Sequence, residues 1–166
     1  GCMKNLAILP GSYDPMTLGH LELVRRAPKD YAHLVVAVMV NPDKETRFTP
    51  EERVEIARRT VAEIPQAEVL FDDGMLIDLY DRLGADAVVK GYRDRNDLAY
   101  ERKMAAWNRA HNRRFRTVLL RSEDAYANIS STEVRRRLDS GGDIRPLVHP
   151  NALELIEKKR NPEKHK

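Results

Sequence analysis

The sequence predicts an α/β protein, a single doubly wound domain on a five-stranded parallel sheet. Three observations carry that expectation. His33 to Val40, HLVVAVMV, is an almost unbroken apolar run rich in valine, the pattern of a strand buried on both faces between layers of helix. Five strand candidates alternate with helical segments, which implies right-handed crossovers in one parallel sheet. The chain has 166 residues, 42% of them hydrophobic and 33% charged, as expected of one soluble domain with its own core.

Taken in order, Leu6 to Leu9 is the first strand, and Thr17 to Ala27 reads as a helix that Pro28 ends. His33 to Val40 follows as the second strand. Thr49-Pro50-Glu51-Glu52 opens the next helix with a threonine N-cap, proline at the first helical position and a glutamate closing a capping box. That helix turns Val54, Ile56, Ala57 and Val61 inward, runs to about Ile64 and stops at Pro65. Glu68 to Phe71 is the third strand, and Met75 to Leu83 is a helix ended by Gly84 in the left-handed position. Asp86 to Lys90 is the fourth strand. Asp97 to about His111 is a long helix in which Leu98, Met104, Ala105 and Trp107 suggest a buried stripe. Arg116 to Leu120 is the fifth strand. Ser130 or Ser131 caps a helix to about Leu138, with Glu133 supplying a second capping box, and Asn151 to Lys159 is the last helix. Residues 1–160 are expected to form the domain, with 161–166 a frayed tail.

Composition narrows the chemistry. The longest apolar run, Leu34 to Val40, is too short to cross a bilayer, and no signal-peptide pattern opens the chain, so a cytoplasmic protein without membrane contact is expected. Gly1-Cys2 before Met3 reads as a cloning remnant, and a single cysteine supports neither a disulfide framework nor a thiolate metal site. A net charge of +3 and a pI near 9.0 suit a phosphate or nucleotide ligand and fall short of a nucleic-acid groove.

Ligands in doubly wound sheets bind beyond the carboxyl ends of the strands, near the switch in strand order. Here those ends carry Ser12 and His20, Lys44, Lys90 to Arg93, and Ser130 to Thr132. Neither GxGxxG nor GxxxxGK[ST] is present, so phosphates must be held by other means. In PGSYDPMTLGH, Gly11 and Gly19 allow close backbone approach, and Ser12 and Thr17 add hydroxyls. His20 falls in a helix's first turn, where the dipole favours anions. It can be read as a capping or packed histidine, or as a donor to charge building on a phosphoryl group. HExxH, a cysteine pair and GxSxG are absent, so no protein-held metal or hydrolase triad is expected. Asp72-Asp73 reads as a loop cap rather than a cation site.

GSYDPMTLGH resembles the first signature, and ISSTEVRRRL (Ile129 to Leu138) the second, of the (H/T)xGH nucleotidyltransferases. Between them, NPDKETRFTPEERVEIARR (Asn41 to Arg59) and GADAVVKGYRDRNDLAYERKMAAWNR (Gly84 to Arg109) resemble the phosphopantetheine adenylyltransferases, and the likeness runs from residue 3 to about 157. The resemblance implies a Rossmann-like fold and transfer of the adenylyl group of ATP to 4′-phosphopantetheine, giving dephospho-coenzyme A and pyrophosphate without a covalent intermediate. It assigns His20, Lys44 and Arg93 to catalysis. Ser12, Lys44, Leu76, Lys90 and Asn108 fall to the acceptor. Ser12, Tyr13, His20, Gly91, Tyr92, Arg93, Glu101 and the run Tyr126, Ala127, Asn128, Ile129, Ser130, Ser131 and Thr132 fall to ATP. It further implies Mg²⁺ carried in with ATP and a homohexamer.

Lys90-Gly91-Tyr92-Arg93 departs from the family's RGLR, so a planar fork becomes a point charge at Lys90. Asn128 stands where an aromatic is usual, and Arg136 where glutamate is frequent. Two alternatives remain open at this point: transfer to nicotinate mononucleotide, or from CTP to an alcohol phosphate, and a nucleotide-binding regulatory module without turnover.

Overall fold

The computed structural model describes residues 5–162. Its elements are β1 (Leu6–Gly11), α1 (Leu18–Arg26), β2 (His33–Met39), α2 (Pro50–Thr60), β3 (Ala67–Asp72), α3 (Leu76–Leu83), β4 (Ala87–Tyr92), α4 (Arg95–His111), β5 (Thr117–Arg121), α5 (Ser131–Ser140) and α6 (Pro150–Glu157). The five strands pair in the order β3-β2-β1-β4-β5, all in parallel.

The valine-rich strand lies where its composition demands. Leu34, Val36 and Val38 pack into the core beneath α1, α2, α5 and α6, and Ala37 faces the opposite layer with Leu79, Tyr80 and Phe115. Each fully buried residue of this kind stabilises the fold by about 1.5–3 kcal/mol, so a polar substitution anywhere in β2 would be felt on one layer or the other.

The pairing register makes the crevice. β1 stays paired with β2 from Leu6↔His33 to Gly11↔Val38, but with β4 only at Ala7↔Ala87 and Ile8↔Val88. The chain builds β1 to β3 outward on one side and then crosses to β4 on the other. The strands therefore part at their carboxyl ends at the switch point, where such sheets take ligands.

Local signals hold in detail. Thr49 and Glu52 form the reciprocal cap of α2, and Gly84 ends α3 with φ +63°. Several expectations need correction. α2 ends at Thr60 rather than Ile64. α4 begins at Arg95 because Asp94, whose carboxylate accepts the Asp97 N–H at 2.8 Å, caps it earlier than expected. Ser130 accepts the Glu133 N–H, but the Glu133 carboxylate turns to Arg136 and Arg137 instead of closing a capping box. The apolar stripe of α4 is not buried: Met104 and Trp107 are 39% and 44% exposed. Helical spacing of apolar residues is the same whether the face meets a core or lines an open cleft, and here it lines a cleft. Asn161 is not frayed, since its N–H donates to the Leu138 carbonyl at 3.1 Å. Cys2 and residues 163–166 lie outside the described residues. No helix among those described is long and apolar enough to cross a membrane.

Candidate active site

The loop after β1 folds back on itself. Tyr13 adopts φ +47°, a left-handed conformation costly for a tyrosine, and is held there by its own burial: its hydroxyl donates to the Leu9 carbonyl at 2.7 Å. Gly11 accommodates the Tyr13 ring, which would lie 3.1 Å from any Cβ placed there.

Thr17 then caps α1. Its Oγ1 accepts from the N–H groups of Gly19 and His20 at 3.2 and 3.4 Å, and the His20 imidazole returns the favour by accepting the Thr17 N–H on Nδ1 at 2.9 Å. The capping reading of His20 therefore holds, and the cap also fixes which ring nitrogen is left to carry the proton. An Nδ1 that accepts carries no proton, which places the imidazole's single proton on Nε2 as a donor. Burial, and then the positive charge of Lys90, push the His20 pKa down to about 4, so the ring is a neutral donor at neutral pH. Its ring stands edge-on to Tyr13 at 4.9 Å.

The two signature segments are stitched together around this turn. Gly19 packs so closely under the Ile129 carbonyl that a Cβ would come within 2.7 Å of the oxygen. Ser131 donates its hydroxyl to the Pro15 carbonyl at 2.7 Å, and Arg135 donates to the Asp14 carbonyl at 2.6 Å. The amino ends of α1 and α5 consequently open on one cavity of about 550 Å³. Helix amino ends present free N–H groups and positive potential, which suits an anionic ligand.

Tyr13, His20, Lys90, Gly91, Arg93, Glu101, Tyr126, Ile129, Ser130, Ser131 and Thr132 all line this cavity. Ser12 lines a smaller adjoining one of about 170 Å³, with Leu76 and Lys90. Leu76 and Asn108 also line a neighbouring cleft of about 690 Å³, walled by Met39, Val40, Met75, Met104 and Trp107. This is the apolar partner of the α4 stripe. Lys90 thus stands between a polar chamber and a more apolar one. Tyr92, Ala127, Asn128 and Lys44 line none of these spaces, and Lys44 is exposed on the segment between β2 and α2.

The cationic groups are paired in advance. Lys90 meets Glu101 at 3.5 Å and Arg93 meets Asp97 at 3.1 Å, so a phosphate ligand entering here exchanges one anionic partner for another. Ser130 caps α5 as its sequence predicts, and the Ser131 proton is committed to Pro15, so α5 offers its leading N–H groups more than its hydroxyls. Sequence reasoning passed over Asp97, which it took only as the start of a helix; its place four residues after Arg93 was the available signal. Asp14 and Arg135 lie inside the two signature segments, but only the tertiary contact shows that they meet. Among the described residues no group of three His, Cys, Asp or Glu side chains is placed to hold a metal ion.

The sequence model of the cytidylyltransferase-like family matches residues 8–137. Among curated proteins, a phosphopantetheine adenylyltransferase of Symbiobacterium thermophilum is 40% identical over 92% of this chain and 94% of its own length. One of Limosilactobacillus reuteri is 36% identical over 93% and 89%. A solved structure from Vibrio parahaemolyticus, described as a candidate nicotinate-nucleotide adenylyltransferase, superposes with a TM-score of 0.72 at 17% identity, covering 94% of this chain and 93% of that one. At that identity the likeness is one of fold.

Proposed function

The chain belongs to the cytidylyltransferase-like family and, within it, to the phosphopantetheine adenylyltransferases, and from that premise we propose that it transfers the adenylyl group of ATP to 4′-phosphopantetheine, releasing pyrophosphate. The observation that carries this reading is the meeting of both signature segments on one cavity, with a neutral His20 as donor. An apolar cleft of about 690 Å³ lies beyond the small cavity that Lys90 lines, and it suits a pantetheine arm.

An oxygen of the acceptor's phosphate attacks the α-phosphorus of ATP in line. The bond to the β-phosphate's bridging oxygen breaks, and pyrophosphate leaves with the electron pair. The nucleophile is already an anion, so the protein need not remove a proton. Its work is orientation and charge stabilisation. The His20 Nε2–H donates to an α-phosphate oxygen as charge builds there. Arg93 offers a fork for fixed oxygens, whereas Lys90 and Lys44 offer point charges. The free N–H groups of α5 receive the outer phosphates, and the acceptor's arm lies along Leu76, Asn108 and Trp107.

Mg²⁺ fits as a passenger on the nucleotide, whose own oxygens would ligate it and whose charge it would reduce. The carboxylates of the cavity, Asp97 and Glu101, are engaged by Arg93 and Lys90. Assembly as a homohexamer and a cytoplasmic setting complete the proposal.

The deciding experiment measures pyrophosphate release from ATP and Mg²⁺ with 4′-phosphopantetheine, nicotinate mononucleotide and glycerol 3-phosphate in parallel. Dephospho-coenzyme A formed with 4′-phosphopantetheine alone is the expected result. Tight ATP binding without turnover on any acceptor would instead mark a regulatory module.

A further inference from the structure

Lys44 carries a phosphate-contacting role in the reading above, yet its side chain stands exposed on a connecting segment. A long side chain on such a segment can serve a reaction only if its backbone is held, because a misplacement of about 1 Å can cost a hundredfold in rate. The segment is held at both ends. At its start, the Lys44 N–H donates to the Asn41 carbonyl at 3.0 Å and the Asp43 N–H to Asn41 Oδ1 at 3.0 Å. At its far end two consecutive N–H groups converge on one carboxylate. Arg47 donates to Asp14 Oδ2 at 2.8 Å, and Phe48 donates to Asp14 Oδ1 at 2.9 Å.

Asp14 is only 5% exposed and sits in the same loop as His20. Two cations face it as well: the buried Arg53 of α2, and Arg135 of α5, whose guanidinium reaches its carbonyl at 2.6 Å and its carboxylate at 3.6 Å. One buried side chain thereby joins the His20 loop, the helix of the second signature and the Lys44 segment. It lines none of the cavities. We propose that Asp14 is a positioning residue for Lys44: its carboxylate sets the backbone of the β2–α2 segment so that the ammonium reaches the reacting phosphates. The inference rests on the reading of Lys44 given above.

Asp14→Asn keeps the volume but turns one acceptor into a donor facing an N–H, so one of the two anchors is lost. Arg47→Ala loosens the same segment from the opposite side, since the Arg47 side chain donates to the Lys159 carbonyl at 2.6 Å and pairs with Asp139 at 2.9 Å. The test compares kcat and both KM values for Asp14→Asn, Arg47→Ala, Lys44→Ala and the double variants with Lys44→Ala, each checked by thermal melting. Asp14→Asn is expected to lower kcat about 10- to 50-fold with the KM for ATP changed less than about threefold. Added to Lys44→Ala, it should lower kcat by no more than about threefold further, because what it positions is already gone. Arg47→Ala should show a smaller loss that vanishes in the same way, and it decides the matter if Asp14→Asn does not fold. A merely structural Asp14 would multiply its defect onto Lys44→Ala, and that result, or a wild-type kcat for Asp14→Asn, overturns the inference while leaving Lys44 in place. Full activity in Lys44→Ala overturns the Lys44 reading itself, and this inference with it.

Discussion

Gly19→Ala is the smallest change that tests how the site is built. The added Cβ would lie 2.7 Å from the Ile129 carbonyl oxygen, where ordinary contact starts at 3.4 Å, so the two backbones must part by about 0.7 Å. The obstacle is main chain and cannot swing aside. Overpacking of this kind costs about 1–3 kcal/mol, while exchanging glycine for alanine in a helix returns up to about 1 kcal/mol. The net loss is then about 0–3 kcal/mol. For a chain of 166 residues that lowers Tm by no more than about 12 °C. The functional loss should be larger, because Ile129 leads directly into Ser130, Ser131 and Thr132 on the cavity wall. A shift of nearly 1 Å in that wall should lower kcat/KM for ATP about 30- to 100-fold. Gly91→Ala is the control for packing: its Cβ would meet the Leu23 side chain at 3.5 Å and the Leu120 carbonyl oxygen at 3.7 Å, both ordinary contacts, so its Tm should stay at the wild-type value. Melting curves and initial rates with varied ATP measure both quantities. A Gly19→Ala protein with wild-type kcat/KM would refute the claim that this contact couples the two signature segments.

His20→Ala should lower kcat about 10²- to 10³-fold with little change in the KM for ATP, the signature of a donor that acts mainly in the transition state; steady-state rates check it. In the free protein the His20 imidazole, depressed from its ordinary 6.5 to about 4, should stay neutral with its proton on Nε2 down to about pH 5, and ¹⁵N NMR of labelled histidine would show otherwise as a titration near 6.5. The sign for stability follows. The unfolded chain takes up a proton that folded His20 refuses, so this contribution is intact above pH 6.5, is lost as pH falls toward 4, and should shrink in His20→Ala. Trp107 is the chain's single tryptophan and lines the apolar cleft with Leu76 and Asn108. Its fluorescence should shift on adding 4′-phosphopantetheine and not on adding ATP alone.

Much of the site was legible because local rules and the motif residues coincide. A glycine beside a histidine in a first helical turn, and a serine pair opening a later helix, are short-range features, and the fold brings both to one cavity. The α4 stripe shows where such reading stops. Met104 and Trp107 carry the spacing of a buried face, and only the position of α4 at the edge of the sheet turns that face toward a cleft. Glu133 makes the same point at shorter range. Three residues after a serine it satisfies the capping pattern, but two arginines on its own helix outcompete the N-cap backbone for its carboxylate.

By itself the sequence determined the secondary elements, the parallel sheet and the strand ends that would carry polar residues, because apolar periodicity, caps and breakers act over a few residues each. Only the tertiary structure decided what those ends do together. The strand order opened the crevice between β1 and β4, the bare Cα of Gly19 admitted the Ile129 carbonyl, and Asp14 gathered N–H groups from a segment distant in the chain. Such contacts join residues far apart in sequence, and no local signal specifies them. The histidine illustrates both sides: its cap was readable from Thr17 and its spacing, but the depressed pKa that keeps it a neutral donor comes from burial and from Lys90 on another strand.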